Sequence, residues 1–250
     1  MSLAKYSGAM PEPVYALAFG AHPDDIEISC PATMLKLHRE GKCVVVCDLT
    51  EGEMGTRGTR FVRRQEALEA ARHLGYAERI NLNLGDTRFE YSRKNLLKVI
   101  AVIRRYRPTV VFAPQPIERH PDHERAAKLI ADACFYSGLI KIKTKEKNKL
   151  QERHRPKFLL YYLQNRFAVP SFIVDVSDTF EASRQGLMAF KSQFYNPKSK
   201  EPESYISRKE FLEAIEARAK YFGELIGARY GEGFLYSNIM PVKTFSSVFC

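Results

Sequence analysis

The stretch VYALAFGAHPDD, residues 14–25, decides the fold of this chain. Its apolar part, Val14–Phe19, is typical of a buried strand, and a His and two Asp side chains follow before a helical pattern begins. The arrangement recurs at residues 109–123, where the run TVVFA precedes a string that ends in HPDH. Because open α/β sheets bind ligands beyond the carboxyl ends of their strands, both polar strings are expected to face one cleft.

Strand-like and helix-like patterns alternate along most of the chain. This alternation predicts parallel βαβ units. We therefore expect a single α/β domain over residues 1–250, with a Rossmann-like, mostly parallel twisted sheet flanked by helices. Strands are predicted at about residues 14–19, 43–49, 79–84, 109–113, 158–163 and 172–176. Helices are predicted at about residues 25–39, 61–74, 95–106, 122–137, 179–194 and 207–226. The glycine-containing stretch 50–59 is predicted to be a flexible loop near the cleft.

Length and composition allow a substantial core and give no sign of a membrane protein. The chain has 250 residues, of which 45% are hydrophobic, and no apolar run approaches the roughly 20 residues that cross a bilayer. The start of the chain lacks a hydrophobic signal core. Five cysteines form no regular framework, which suits reduced thiols and predicts a cytoplasmic location. The cysteines are Cys30, Cys43, Cys47, Cys134 and Cys250.

The net charge of +10 is concentrated in part in residues 141–157. Such a block is typical of a solvated, mobile surface loop. Two alternatives are attraction of an anionic small substrate and binding of nucleic acid. The segment has no interleaved aromatic residues and matches no nucleic-acid-binding module, so nucleic acid is not favoured as a partner.

The first string has the residue types and the spacing of a metal site. His22 and Asp25 are three positions apart where a strand turns into a helix, so both side chains can face one ion. Asp24 points elsewhere, which suits a general base beside a metal-activated water. The alternative is that one Asp caps the helix and His22 is an ordinary loop residue.

The second string strengthens the metal interpretation. His120 and His123 are also three apart, and Pro121 fits the first helical turn. His123 is then a third ligand beside His22 and Asp25, with water in the fourth position, as in a catalytic zinc site. Fe²⁺, Mn²⁺ or Co²⁺ would suit the same ligands. The alternative is that the strings are two unrelated histidine-rich helix starts.

The second string also offers groups that need not bind metal. Asp122 is suited to accept a hydrogen bond from an imidazole and so set its tautomer. His120 would remain as a proton donor or as a group that stabilises an oxyanion. Both assignments require the two strings to lie side by side.

These motifs resemble those of the LmbE-like (PIG-L) zinc-dependent N-deacetylases. The resemblance is carried by residues 21–27, 47–50, 63–67 and 120–123, and it extends to 172–176 and 191–194. Within the family the chain is most similar to the N-acetylglucosaminyl-malate deacetylases of bacillithiol biosynthesis. Residues 29–33, SCPAT, depart from the family's usual glycine-rich stretch, which bears on substrate choice.

The resemblance implies specific roles for residues of both strings. It implies that His22, Asp25 and His123 bind zinc and that Asp24 is the general base. It further implies that His120 stabilises the tetrahedral intermediate or protonates the leaving amine. Asp122 would be the partner of His120 or of a metal ligand.

The resemblance also implies a substrate contact and an assembly. Arg63 matches the family arginine near the substrate, with Arg60 and Arg64 as alternatives. An anionic substrate such as a malate conjugate would pair with such a guanidinium. The family suggests a ring-like homo-oligomer, such as a hexamer, and the apolar tail 234–250 would serve that interface or complete the core.

We therefore expect a metal-dependent hydrolase that removes the acetyl group from an N-acetylglucosamine-type substrate. A second enzyme hypothesis is an amidase acting on a thiol conjugate or on another N-acetyl sugar. A basic nucleic-acid-binding protein is a distant alternative. A non-catalytic zinc protein would need neither Asp24 nor His120.

Overall fold

A computed structural model describes residues 14–242 and residue 244. A seven-stranded sheet has the order β3 (Glu78–Asn81), β2 (Cys43–Asp48), β1 (Val14–Gly20), β4 (Val110–Pro114), β7 (Phe158–Tyr162), β9 (Gly231–Leu235) and β8 (Phe172–Asp175). Its first five strands are parallel. Strand β9 is antiparallel to both β7 and β8. The mostly parallel α/β architecture confirms the predicted fold class. The predicted single domain over residues 1–250 stays a prediction.

The elements follow one another largely as the sequence predicts. The strands are β1 (Val14–Gly20), β2 (Cys43–Asp48), β3 (Glu78–Asn81), β4 (Val110–Pro114), β5 (Lys145–Glu146), β6 (Lys149–Leu150), β7 (Phe158–Tyr162), β8 (Phe172–Asp175) and β9 (Gly231–Leu235). The helices are α1 (Asp25–Ser29), α2 (Pro31–Arg39), α3 (Arg60–Leu74), α4 (Arg93–Tyr106), α5 (Pro121–Tyr136), α6 (Phe180–Met188) and α7 (Lys209–Glu224).

The central strand β1 is buried on both faces because helices cover both. Leu17 and Phe19 belong to the core cluster that α4 and α5 complete. Ala16 and Ala18 point to the other face and pack with residues of α2 and α3. This two-sided burial is the reason for the continuous apolar run. Strand β1 pairs with β2 on one side and β4 on the other, so the strand order reverses there.

The prediction of one helix over residues 25–39 is wrong in one respect, because the structure has two helices there, α1 and α2. The break falls at Cys30, whose backbone has φ −148° and ψ 40°. Pro31 causes it, since proline lacks an N–H and disfavours helical geometry in the preceding residue. The break leaves α1 as a short, fully buried helix directly behind the first polar string.

Two further differences lie in the second half of the chain. Helix α6 ends at Met188 instead of continuing to residue 194, because Phe190 and Phe194 turn inward to the core and Ser192 binds Glu66. Strand β9 was not predicted. Its Gly231 and Gly233 weaken any strand pattern, yet Gly231 lets β9 pass so close to α7 that a Cβ would lie 2.8 Å from a backbone atom of Phe222.

The basic segment 141–157 also differs from the expected loop. It contains the antiparallel pair β5 and β6, joined by a turn at Lys147 and Asn148 in the left-handed region. Arg104 on α4 donates hydrogen bonds to the carbonyls of Ser137, Leu139 and Ile142. The segment is therefore hydrogen-bonded to the body of the protein.

A buried ionic cluster holds the first polar string against the sheet. Arg79 of β3 is fully buried, and its Nε and Nη2 donate to Asp48 at 2.8 and 2.9 Å. Its Nη1 donates to Glu27 at 2.9 Å. Because these three charged groups are buried away from water, they need one another as hydrogen-bond partners. Their contacts hold α1 against β2 and β3.

Two predictions about the whole chain can be compared with the described residues. Among them, no helix is long and apolar enough to cross a membrane. Cys30, Cys47 and Cys134 are buried thiols outside any disulfide. Cys250 and most of residues 243–250 lie outside the described part of the chain, as do residues 1–13.

Candidate active site

The two polar strings meet at the carboxyl ends of β1 and β4. The ring centroids of His22 and His123 are 5.4 Å apart, although about a hundred residues separate them in the chain. His120 lies 4.8 Å from His22 and 5.3 Å from His123. Helix α5 places these last two rings, because His120 caps its N-terminus and Pro121 occupies its first turn.

The three predicted metal ligands adjoin one another. Asp25 lies between the imidazoles, with Oδ2 3.8 Å from His22 Nδ1 and Oδ1 3.2 Å from His123 Nε2. Ligands about 2.1 Å from a tetrahedral metal are roughly 3.4 Å apart. The separation at His123 is close to that value, whereas the one at His22 is longer and involves the other oxygen of the carboxylate. His120 is also within reach, since its ring nitrogen lies within 4.8 Å of nitrogens of the other two imidazoles.

The burial and charge of the Asp25 carboxylate support the fit of a cation. On His123, Nε2 faces Asp25, and Nδ1, on the opposite edge of the ring, is buried without a hydrogen-bond partner. Asp25 is almost completely buried, and Gln164 Nε2 donates to its Oδ1 at 3.2 Å. Burial raises the pKa of Asp25, but the charges of His123 and His22 outweigh this and lower it, so the carboxylate stays ionised. Two imidazoles and an ionised carboxylate are ligands suited to zinc.

Two carboxylates surround the other nitrogen of His22. Nε2 lies 3.1 Å from Asp86 Oδ1 and 3.5 Å from Asp122 Oδ2. Burial lowers the pKa of His22, but hydrogen bonds to Asp122 and Asp86 outweigh it and raise the pKa to about 10. The raised pKa favours a second proton on Nδ1, the nitrogen on the side of Asp25, and a cation bound there would replace that proton. Carboxylates commonly orient a metal-binding imidazole in this way.

Asp24 forms a buried ion pair. Its Oδ2 accepts a hydrogen bond from Arg63 Nη2 at 2.9 Å, and both side chains are about 5% exposed. Burial raises the pKa of Asp24 to about 7, while the Arg63 charge opposes the shift. A carboxylate in a cleft whose pKa lies near neutral pH can accept a proton from water and so act as a general base.

His120 presents one particular nitrogen to the cleft. Its Nδ1 accepts a hydrogen bond from the backbone N–H of Asp122 at 3.2 Å. The proton of the neutral ring therefore sits on Nε2. Burial lowers the pKa of this half-buried imidazole, which favours the neutral form. His120 thus offers an N–H donor to a group in the cleft.

The Asp122 carboxylate points toward His22. It also accepts hydrogen bonds from the Thr87 N–H at 2.8 Å and from Arg125 Nη1 at 2.7 Å. Burial raises the pKa of Asp122, but the hydrogen bonds from His22 and Thr87 outweigh it, and the pKa falls to about 2. Of the two roles considered from the sequence, this geometry favours the partner of a metal ligand.

A cavity of about 290 Å³ opens in front of these side chains. Arg63 is the predicted substrate-contact arginine that lines it, while Arg60 and Arg64 are exposed and lie outside the lining. Arg63 is nevertheless engaged: besides Asp24 it binds the carbonyl of Gly52 at 2.9 Å. Thr59 starts α3 by accepting from the Val62 N–H and so places Arg63 in the first turn.

Sequence reasoning missed three residues of the site. Asp86 and Gln164 follow β3 and β7, so the rule that ligands bind beyond strand ends could have indicated both. Arg57, in the loop after β2, is 5% exposed and lines the cavity. Its Nε and Nη2 are buried without a hydrogen-bond partner, and Glu201 Oε2 is 3.7 Å from Nε. No sequence pattern distinguishes it from its basic neighbours.

Comparisons with known proteins identify the family of this chain. Residues 17–134, which include both strings, match the family described as PIG-L, GlcNAc-PI de-N-acetylase. The diacetylchitobiose deacetylase of Thermococcus kodakarensis is 31% identical over 231 residues, which span 88% of this chain and 82% of that protein. The chain belongs to the PIG-L deacetylase family. The family expectation from the two strings is thereby confirmed.

Two solved structures share the fold. The conserved protein TT1542 from Thermus thermophilus has a TM-score of 0.82 and 33% identity, covering 92% of this chain and 98% of that one. The N,N'-diacetylchitobiose deacetylase from Pyrococcus horikoshii, solved with an inhibitor, has a TM-score of 0.75 and 29% identity, covering 94% and 88%. This PIG-L deacetylase is thus similar to its relatives over most of its length.

Proposed function

We propose that this PIG-L deacetylase is a zinc-dependent hydrolase that removes the N-acetyl group of an N-acetylglucosamine-type substrate. The observation that carries the proposal is the placement of Asp24 beside a cluster of two imidazoles and a carboxylate, in one cavity. Family membership supports the reaction class, and relatives named for diacetylchitobiose support an amino-sugar substrate.

In the proposed site, His22, Asp25 and His123 would hold the metal. A divalent cation there supplies Lewis acidity, which acidifies water and polarises the acetyl carbonyl. Zinc is proposed because it prefers nitrogen ligands with a carboxylate in catalytic sites. Asp86 and Asp122 keep the His22 proton on Nε2 and so leave Nδ1 available.

The remaining residues act on protons and charge. Asp24 takes the proton from the attacking water, and Arg63 holds its carboxylate in place. The Nε2–H of His120 donates to the oxyanion of the tetrahedral intermediate, a contact worth about 3–4 kcal/mol in comparable sites. Asp24 then returns its proton to the leaving nitrogen as acetate and the free amine separate.

The finer proposal is an anionic substrate, such as N-acetylglucosaminyl-malate in bacillithiol biosynthesis. It is supported by Arg57, which lines the cavity and has two guanidinium nitrogens without hydrogen-bond partners. The competing substrate is a neutral acetylated disaccharide, as the names of two relatives suggest. An amidase acting on a thiol conjugate is a further alternative within the same chemistry.

The decisive experiment combines metal analysis with acetate release. The purified protein is assayed on N-acetylglucosaminyl-malate, N-acetylglucosamine and diacetylchitobiose, and its zinc content is measured. Zinc together with acetate release supports the general proposal, and a preference for the malate conjugate supports the finer one. Equal rates on all three substrates would contradict the malate assignment, and no acetate release from any would contradict the deacetylase. A homo-oligomer and a cytoplasmic location remain predictions, the first checked by light scattering.

A further inference from the structure

The basic segment lies at the end of the molecule opposite the active site. Helix α5 begins at the site and ends at Tyr136, and its 16 residues span about 24 Å. The chain then returns to Phe158, which pairs with Val110 at the start of β4. Residues 137–157 therefore sit at the amino ends of the strands, away from the cavity.

This position excludes a direct role in holding the substrate. The charges of exposed groups are screened within about 8 Å at physiological ionic strength, well short of the length of α5. Residues 141–157 nevertheless carry eight Lys and Arg against two Glu, a net charge of +6 in a chain of +10. This local excess of positive charge is too far from the active site to act on the substrate. It therefore fits a separate anionic partner.

The basic hairpin, residues 141–150, presents its lysines outward because of a two-residue alternation. Lys141, Lys143 and Lys145 are exposed. The intervening residues face inward: Ile142 packs against the core, Thr144 accepts from Arg104, and Glu146 pairs with Arg105 at 3.3 Å. Because every second residue is held inward by these contacts, the lysines between them are left in solvent.

One exposed aliphatic side chain lies on this outward face, and a second precedes the hairpin in the chain. Leu150 is directly opposite Lys145 in the β5–β6 pair, so both project from one face of the hairpin. Leu150 is 63% exposed, and Ile140, next to the first lysine, is 66% exposed. Lysines combined with protruding aliphatic groups match an anionic bilayer surface, which attracts the charges and accepts the apolar tips.

We propose that the outward face of the basic hairpin docks this protein on an anionic lipid surface, with the active site directed away from the membrane. Nucleic acid fits the observations less well. Residues 141–157 contain no Phe, Tyr or Trp on which bases could stack. Leu150 and Ile140 would gain nothing from a phosphate backbone, whereas the interfacial region of a bilayer accepts them.

The test is co-sedimentation of the full chain with vesicles. Vesicles of phosphatidylcholine alone are compared with vesicles of equal parts phosphatidylcholine and phosphatidylglycerol, at low and high salt. We expect binding only to the anionic vesicles, reversed by salt. Replacing Lys141, Lys143 and Lys145 by Gln should weaken binding by about 100-fold, since each lysine near such a surface contributes about fivefold.

Two further variants separate the explanations. Leu150→Ser should weaken vesicle binding while leaving salt dependence and deacetylation intact. A control that replaces three exposed lysines elsewhere, Lys198, Lys200 and Lys209, by Gln should bind as the wild type does. The proposal would be overturned if the protein did not bind the anionic vesicles, or if the control variant lost as much vesicle binding as the hairpin lysine variant. Tighter binding to a DNA or RNA duplex that depends on the hairpin lysines but not on Leu150 would overturn it in favour of nucleic acid.

Discussion

Arg63 Nη2 lies 2.9 Å from Asp24 Oδ2, and this buried ion pair links the glycine-containing loop to the proposed general base. The same guanidinium donates to the carbonyl of Gly52. A cation that is engaged on two sides holds its partner in one orientation. Arg63 is therefore better suited to position Asp24 than to bind substrate through the same nitrogens.

Asp24→Asn should remove the base while preserving the metal ligands. We expect turnover to fall by about 10²–10⁴-fold, the usual range for a lost general base, with zinc content unchanged. Steady-state acetate release and metal analysis measure the two effects. Asp178→Asn, at an exposed position, is the matched control. Near-normal turnover with metal bound would show that another group accepts the proton.

Arg63→Met should change the pH dependence of the reaction. Burial raises the pKa of Asp24 to about 7, and the Arg63 charge lowers it. Removing that charge raises the pKa further, so more Asp24 is protonated at a given pH and activity is lost at a higher pH on the acid side. The pH profile of kcat/KM tests this. Arg63→Lys retains the charge and should shift the profile less; an unshifted Met variant would contradict the coupling.

Arg57→Gln should reveal whether the cavity recognises an anion. Hydrogen bonds to charged groups contribute about 1.5–3 kcal/mol, so KM for a carboxylate-bearing conjugate should rise by about 10- to 150-fold. The kcat on that substrate and both constants on neutral N-acetylglucosamine should change little. Arg60→Gln, outside the cavity lining, is the control. If the substitution impaired kcat/KM equally on charged and neutral substrates, Arg57 would only support the loop after β2.

Removal of the metal should lower both activity and stability. Dialysis against a chelator should abolish acetate release, and added zinc should restore it. A ligand that binds only the folded state stabilises it by about 2.7 kcal/mol at a hundred times its Kd, so Tm should fall on chelation. His123→Ala should lose this zinc-dependent rise in Tm, whereas exposed His73→Ala should keep it. Full activity of the metal-free protein would refute the proposed site.

Arg79→Met should destabilise the fold without touching the cavity. It leaves the buried carboxylates of Asp48 and Glu27 without their partner. Removing one member of a buried ionic cluster costs about 3–5 kcal/mol of unfolding free energy. Denaturant titration measures the loss, and exposed Arg72→Met should change it by less than about 0.5 kcal/mol. A small effect at Arg79 would mean that water or a rearranged side chain replaces the guanidinium.

Much of the fold and the core of the site could be predicted from local patterns. The apolar run at residues 14–19 requires two-sided burial, and polar residues directly after it must lie at the carboxyl edge of the sheet. The second string at residues 120–123 obeys the same rule, so the convergence of His22 with His123 followed from topology. The end of α3 at Leu74 could be predicted because Gly75 follows, and glycine readily adopts the left-handed conformation that ends a helix.

Other features depend on contacts between segments that are distant in sequence. The orientation of Arg57 into the cavity leaves no periodic trace in the sequence, because a single contact imposes no pattern on its neighbours. Strand β9 forms despite its glycines because α7 packs closely against it. Local composition controls which faces are buried, whereas packing in three dimensions selects the partner of each polar side chain.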